Sequence, residues 1–523
     1  MRQAPSRLIV VCLALVALAS SACASAVAAD RPVRILAGDP ATFDPAAQGD
    51  GGTAAVLAQF YETLTTFDSD LQVRPALAES WRVEEGGKRV IFQLRPDLTF
   101  SDGSPLRASD VVRSWLRVID PAAPSPLASL MLVVDGATDH VSGRETDPSK
   151  VGLTADDAAG TVTVDLVRPA SDFIEVVASP TFGVVPPGPK TATDFAPGPA
   201  FVGSGGYLPT AVSATGMTLT ANERYWAGKP AIGTIELVSD LGGRSAVEVF
   251  ENKELDYTSI FDSDASWIAY DPSLGPQLRQ VPALSSQFYG FDTRKPPFDD
   301  VRVRQAFAMA VDWRRIARLG AGDAGTASVT SMVPPGIPGR SDRDFLPAYD
   351  PAKARSLLAD AGFPGGAGFP KTTLMTGGGG SDAAVLDEIK RELGITLGYE
   401  TMSFDTYFDR LATDPPAMWS LGWIADYPGR NDFLGVLLAS DSTNDYGGWK
   451  SPAFDAAVAE ANAADDPTAA VAAYDRAESI VADQAPVIPV SYGTGWALAR
   501  DGLLGASENG LGIVRMAGLA WAP

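Results

Sequence analysis

Short apolar runs and segments of helical period alternate along most of the chain, with glycine or proline at the junctions. Such alternation confines a chain to layered α/β architectures, because strand faces must be buried under helices. Arg34-Ile35-Leu36 is a short strand ending in a Gly38-Asp39-Pro40 turn, and Val90 to Leu94 is a second strand closed by Arg95-Pro96. Three helices carry start or stop signals. Asp350 caps one that begins at Pro351, shows Ala354, Leu357, Leu358 and Ala361 on one face, and stops at Gly362. Asp466-Pro467 opens another, with Val471, Tyr474, Ala477 and Val481 in register. The pattern Val303, Phe307, Ala310, Val311 predicts a third, continuous from Asp300 to Ile316. A length of 523 residues corresponds to about three domains.

The N-terminus reads as an export signal. Arg2 and Arg7 precede an apolar run from Leu8 to Ala19, too short to span a bilayer comfortably, and small residues follow. Two processing sites fit: Ala26-Val27-Ala28 ahead of Ala29, or Ser21-Ala22 ahead of Cys23, which would then be lipidated. Position 20 is Ser, where lipidation sites usually have Leu. The exported chain would hold no disulfide, so its core must stabilise it alone.

Composition removes several functions. Lys and Arg number 41 against 64 Asp and Glu, for a net charge of −23, which leaves no broad basic field for nucleic acid. One His and two Cys cannot build a His/Cys metal cluster. His140, in a polar stretch, reads as a solvated loop residue and not as a general base. A G-x-G-x-x-G at Gly320, Gly322 and Gly325 follows a helix instead of a strand and reads as a loop. No nucleophile–base pairing is evident, so the chain is expected to be neither an enzyme nor a cofactor carrier.

A collinear series of motifs spans Thr42 to Val490: TFDP at 42–45, YETL at 61–64, RPALAESW at 74–81, IFQLRPDLTFSDGSPLRASDVVRSW at 91–115, GSGGY at 203–207, NERYW at 222–226, KPPFDDVRVRQAFAMAVD at 295–312, YDPAKARSLLADAGF at 349–363, GWIADYP at 422–428 and APVIPV at 485–490. In this order the motifs resemble the extracytoplasmic solute-binding proteins of family 5, the oligopeptide- and dipeptide-binding components of ABC importers. Three positions depart from that pattern. Arg107 stands at a helix cap usually held by Thr or Asn, leaving Ser109 as a substitute cap; Trp313 replaces a usual Arg, and Asp292 a common Asn.

The resemblance implies an α/β, two-lobed, type II periplasmic-binding-protein-like fold with a hinge and an additional inserted domain. Motif order puts a signal peptide at 1–28, the first lobe at 30–66, 178–288 and 490–523, the insert at 67–177 and the second lobe at 289–489. Hinges would fall near Phe288 to Phe291 and Pro489 to Ser491. It further implies that Asp426 neutralises the ligand's α-ammonium beside Trp423 and Tyr427, and that Phe404 covers a ligand side chain. The loop from Gln48 through Asp50, Gly51 and Gly52 would pair with an extended peptide through its backbone. The expected partners are a peptide, the permease subunits and, if Cys23 is lipidated, a membrane. The protein is expected to act as a monomer in the periplasm or at the outer face of the cell membrane, without nucleic acid, metal or cofactor. An oligosaccharide, an opine-like amine or a metal chelate are alternative cargoes for the same fold; a secreted hydrolase is the alternative of another class.

Overall fold

The computed structural model describes residues 31–523 except 69–70, 171, 189–190, 322–328, 379–380, 443 and 465. The expected leader and Cys23, and Gly322 and Gly325 of the glycine motif, lie outside the described residues. In chain order the strands that build the sheets are β1 (Val33–Leu36), β2 (Thr65–Phe67), β3 (Val73–Pro75), β4 (Ala78–Glu84), β5 (Arg89–Leu94), β6 (Leu153–Asp156), β7 (Thr161–Asp165), β8 (Tyr207–Ser213), β9 (Gly216–Ala221), β10 (Thr234–Val238), β11 (Tyr257–Ile260), β12 (Leu278–Phe291), β13 (Thr373–Thr376), β14 (Gly398–Thr401), β15 (Met418–Ile424), β16 (Val487–Ala499), β17 (Leu503–Leu504) and β18 (Ala520–Trp521).

One ten-stranded sheet, ordered β14-β13-β15-β12-β16-β11-β1-β10-β9-β8, runs through both lobes. Two long strands join its halves. Leu278 to Pro282 of β12 pair with Thr494 to Leu498 of β16 on the first-lobe side. Ser285 to Phe291 of β12 pair with β15 on the second-lobe side, where Phe288 also faces Pro489 and Gly290 faces Val487. The β12–β16 register slips between Pro282 and Ser286 and again between Gln287 and Phe288. Bulges of this kind bend and twist a strand locally, and these two lie where the sheet passes from one lobe to the other.

The insert is built on a separate antiparallel sheet, β4-β5-β7-β6. The helix Ala108–Val118 covers it, burying Trp115 edge-on to Phe92, Phe173 and Phe182. Val33, Ile35, Phe60 and Tyr207 centre the first lobe's core; Phe291, Phe298, Phe307 and Leu358 centre one core of the second. A third apolar cluster is shared: Trp115 and Phe173 of the insert belong to it together with Tyr427, Phe433 and Tyr474 of the second lobe.

The local signals map well onto helices. Asp350 accepts from the Lys353 amide and caps Pro351–Asp360; Asp466 accepts from the Thr468 amide and caps Pro467–Gln484. Three expectations are corrected. The helix expected over 300–316 is two, Val301–Ala310 and Trp313–Ala321, because Asp312 leaves the first and its carboxylate caps the second through the Arg315 amide. His140 is buried, in the short helix Ala137–Val141, with Nδ1 against the Glu145 carbonyl at 3.0 Å. Ser109 is no substitute cap: its amide and hydroxyl bind Asp157, while the Asp110 carboxylate accepts from the Arg107 amide.

Gly290 shows how tightly the shared strands pack. A Cβ there would sit 2.6–2.7 Å from the Trp419 ring of β15. Overpacking a filled site costs about 1–3 kcal/mol. Gly290→Val is therefore expected to cost that much unfolding free energy, read as a lower urea midpoint, and an unchanged midpoint would contradict the packing described.

Candidate functional site

Strand β15 ends in Trp423 and Ile424, and the chain then turns. The Ala425 amide donates to the Leu284 carbonyl of β12 (2.8 Å), tying the turn to the slipped stretch of the shared strand. Pro428 and Gly429 complete the turn, and the short helix Arg430–Phe433 carries Asp432 back beneath it. Gly429 is required here, because a Cβ would stand 2.3 Å from the Tyr427 ring.

Asp432 is wholly buried. Its Oδ2 accepts from Trp423 Nε1 (2.9 Å) and from the Asp426 amide (3.3 Å), while its Oδ1 has no partner. Asp426 is only partly exposed, and its carboxylate makes no hydrogen bond or ion pair among the described residues. Burial pushes Asp426 up to about 6. Asp432 is pushed far above the usual carboxylate range, first by burial and then by the Asp426 charge, against the pull of the Trp423 and Asp426 donors. Two such carboxylates titrate as a pair, each disfavouring the other's charge.

Arg430, which follows in the same turn, does not neutralise them. Arg430 is buried and engaged elsewhere, with Glu478 (2.5 Å), Asp475 (2.9 Å) and the Gly339 carbonyl (3.0 Å), and it lies over the Tyr474 ring. Tyr427 is buried, and its hydroxyl donates to Asp172 Oδ2 of the insert (2.5 Å).

Trp423, Asp426 and Tyr427 are thus brought together around Asp432. The other expected site residues lie on different elements. Asp50 N-caps the helix Gly51–Leu57 by accepting from the Thr53 amide (2.8 Å). Gly51 and Gly52 form its exposed first turn, so they present helix-start amides and not a strand edge. Phe404 begins the helix Phe404–Thr413, and its side chain lies outside the described residues. Sequence reasoning missed Asp432, Asn431 and Asp172. The acid six residues after Asp426 was a visible signal for the first; nothing local marks Asp172, 255 positions from Tyr427.

A concavity of about 480 Å³ lies along the insert helix between Val112, Leu116, His140 and Pro148, and none of these carboxylates lines it. Among the described residues no group of three or more His, Cys, Asp or Glu is arranged to hold a metal, and no helix is long and apolar enough to cross a membrane.

Comparison with known proteins agrees with this architecture. Residues 72–445 match the model of the bacterial extracellular solute-binding proteins, family 5. The probable deoxycholate-binding periplasmic protein YgiS of Escherichia coli K12 is 32% identical over 87% of this chain and 86% of its own. The periplasmic murein peptide-binding protein MppA of the same organism is 27% identical over 91% and 90%. The unliganded open form of MppA superposes with a TM-score of 0.76, covering 94% of this chain and 97% of that one at 25% identity. The two-lobed α/β fold with its insert and the matched segment lead to one conclusion: the chain belongs to family 5 of the bacterial extracellular solute-binding proteins.

Proposed function

We propose that the protein captures peptides outside the cell membrane and delivers them to the permease of an ABC importer. The observation that carries this reading is the Asp426 carboxylate: accessible, partly buried and without a partner. A half-desolvated charge is costly unless paired, and a ligand ammonium is the natural partner. Asp432 props the site by fixing the Trp423 indole and the Asp426 backbone. Trp423, half-buried, offers an apolar wall on which a cation or side chain can lie. Tyr427, its ring buried and its hydroxyl in use, holds the turn in place. In the first lobe the exposed start of Gly51–Leu57 offers main-chain donors to the ligand's backbone. Phe404 is proposed to cover a ligand side chain.

Closure follows from the shared strands. Flexing β12 and β16 near Phe288 to Phe291 and Pro489 to Ser491 would bring the lobes together, and a ligand touching both favours the closed form through its differential affinity. A monomer suffices for that cycle, and the permease reads the closed shape. Either processing of the leader, at Ala28 or at Cys23, leaves the chain outside the inner membrane; mass spectrometry of the native N-terminus distinguishes them.

A second reading takes its support from the relative named for deoxycholate. An amphipathic carboxylate would meet Asp426 charge to charge, which costs affinity unless that acid is protonated. Thermal-shift screening separates the readings. A bound ligand at about 100 times its Kd adds ~2.7 kcal/mol of stability. Peptides are expected to give the shift and deoxycholate none; the reverse result rejects the peptide reading.

Asp426→Ala is expected to weaken peptide affinity by about 2–5 kcal/mol, as loss of one partner of a desolvated pair does. Calorimetry showing wild-type affinity would remove Asp426 as the anchor.

The titration of Asp426 adds a signed expectation. Its folded value, about 6, lies above the ordinary 3.8, so the folded protein keeps a proton there that the unfolded chain has lost. This group therefore costs the ligand-free protein stability as pH rises from 4 to 7, whereas capture of an ammonium strengthens over the same interval. Asp426→Asn is expected to stabilise the ligand-free protein at pH 7 by on the order of 1–3 kcal/mol while weakening binding. Urea unfolding at pH 5 and pH 7 checks it: equal slopes in wild type and variant would contradict the placement.

A further inference from the structure

The insert reaches directly into the segment that carries Asp426. Asp172 stands at the start of the insert's helix Phe173–Val176, and its Oδ2 accepts from Tyr427 Oη (2.5 Å) and Asn431 Nδ2 (3.1 Å). Asn431 Nδ2 also donates to Tyr427 Oη (3.0 Å), closing a three-membered clasp. The chain of bonds continues into the second lobe. Asn431 Oδ1 accepts from Asn462 Nδ2 (3.1 Å), and Asn462 Oδ1 in turn accepts from the Tyr474 hydroxyl. The clasp therefore joins the insert, through the turn after Asp426, to the helices Pro452–Asn462 and Pro467–Gln484.

Space has been made for it. A Cβ at Gly429 would collide with the Tyr427 ring at 2.3 Å, and one at Gly435 with Asn431 Oδ1 at 2.2 Å. Tyr427 is 1% exposed, and burial together with the Asp172 charge keeps its phenol a donor. Bonds from neutral donors to a carboxylate are short and strong, and desolvation around Tyr427 strengthens them further. The apolar frame is shared as well, since Phe173, next to Asp172, lies in the same cluster as Tyr427 and Phe433.

We propose that the insert is a working jaw of the binding site: Asp172 is a positioning residue that clasps Tyr427 and Asn431 when the cleft is shut, holds the turn carrying Asp426, and biases the ligand-free protein toward the shut form. The clasp itself stands on its own geometry; its consequence for affinity rests on the proposed reading of Asp426 as the ligand anchor.

Single-molecule distance measurement on the full chain tests it without a ligand. Ser149→Cys in the insert and Ala469→Cys in the second lobe are both exposed positions for the labels. Asp172→Ala is expected to raise the ratio of open to shut molecules about tenfold, the effect of losing one charge-assisted pair of hydrogen bonds. Tyr427→Phe reads the same bond from the other side, should Asp172→Ala fold poorly. Combining them is expected to add little, because the two changes remove one shared interaction. Asp172→Asn, which keeps an acceptor, is expected to stay within about threefold of wild type. Distance distributions that stay at wild type in both Asp172→Ala and Tyr427→Phe overturn the proposal. So do additive effects with Asp172→Asn as damaging as Asp172→Ala.

A second arm uses tri-alanine as the probe. Asp172→Ala is expected to speed its release about tenfold with little change in the association rate, whereas Asp426→Asn is expected to weaken its capture. If distances respond to Asp172→Ala while tri-alanine binding ignores Asp426→Asn, the anchor reading fails and the clasp stands. If Asp426→Asn weakens binding while distances ignore Asp172→Ala, only the clasp fails.

Discussion

The pairing of β12 with β16 is the constraint on which the rest of the molecule depends. These two strands carry one sheet through both lobes, so each lobe's strands are ordered with reference to the same pair. Paired strands can twist about their length at small cost while their ladder hydrogen bonds persist, and the two register slips concentrate that freedom between Pro282 and Phe288. The Asp426 turn is tied to this stretch by the bond from the Ala425 amide to the Leu284 carbonyl. The proposed anchor and the proposed hinge are thus mechanically one neighbourhood. At Gly290 the strand β12 packs against Trp419 of β15 so closely that no Cβ would fit.

Electrostatics gives the neighbourhood its chemistry. The chain is strongly acidic, yet most of its acids are solvated or paired, and an excess of charge alone says little about a ligand. What distinguishes Asp426 is that its carboxylate makes no ion pair or hydrogen bond among the described residues. Arg430 is bound by Glu478 and Asp475, and Asp432 adds a second buried carboxylate where a neutral residue would have been cheaper. A site arranged this way is poorly satisfied when empty. Capture of a cation relieves it, which is how a receptor can make closure depend on cargo.

Legibility in the sequence followed the range of each interaction. The caps at Asp350 and Asp466 act within three residues of themselves, and both were readable. The series of collinear motifs indicated the family, and with it the fold. Not every short-range contact was readable, however. His140 looked solvated because its neighbours are polar, but the fold folds it inward against Glu145. Asp312 carries an ambiguous signal, compatible with a helix interior until its capping of the Arg315 amide is seen. Asp50 was read as part of a loop that pairs with an extended peptide, yet its carboxylate is committed to the Thr53 amide at a helix start. Trp423, Asp426 and Tyr427 could be nominated from one motif, and Asp432 lies only six residues further on, whereas Asp172 is set by a tertiary contact that no local pattern encodes.

Carbon-13 NMR of the side-chain carboxyls, titrated with and without a saturating peptide, tests the central claim most directly. The account predicts that the Asp426 carboxyl of the ligand-free protein titrates with a midpoint near 6 and that peptide pulls this midpoint down below the ordinary 3.8, because an ammonium favours the charged form. A midpoint at the ordinary carboxylate value in the free protein, or one that peptide leaves unmoved, would contradict it.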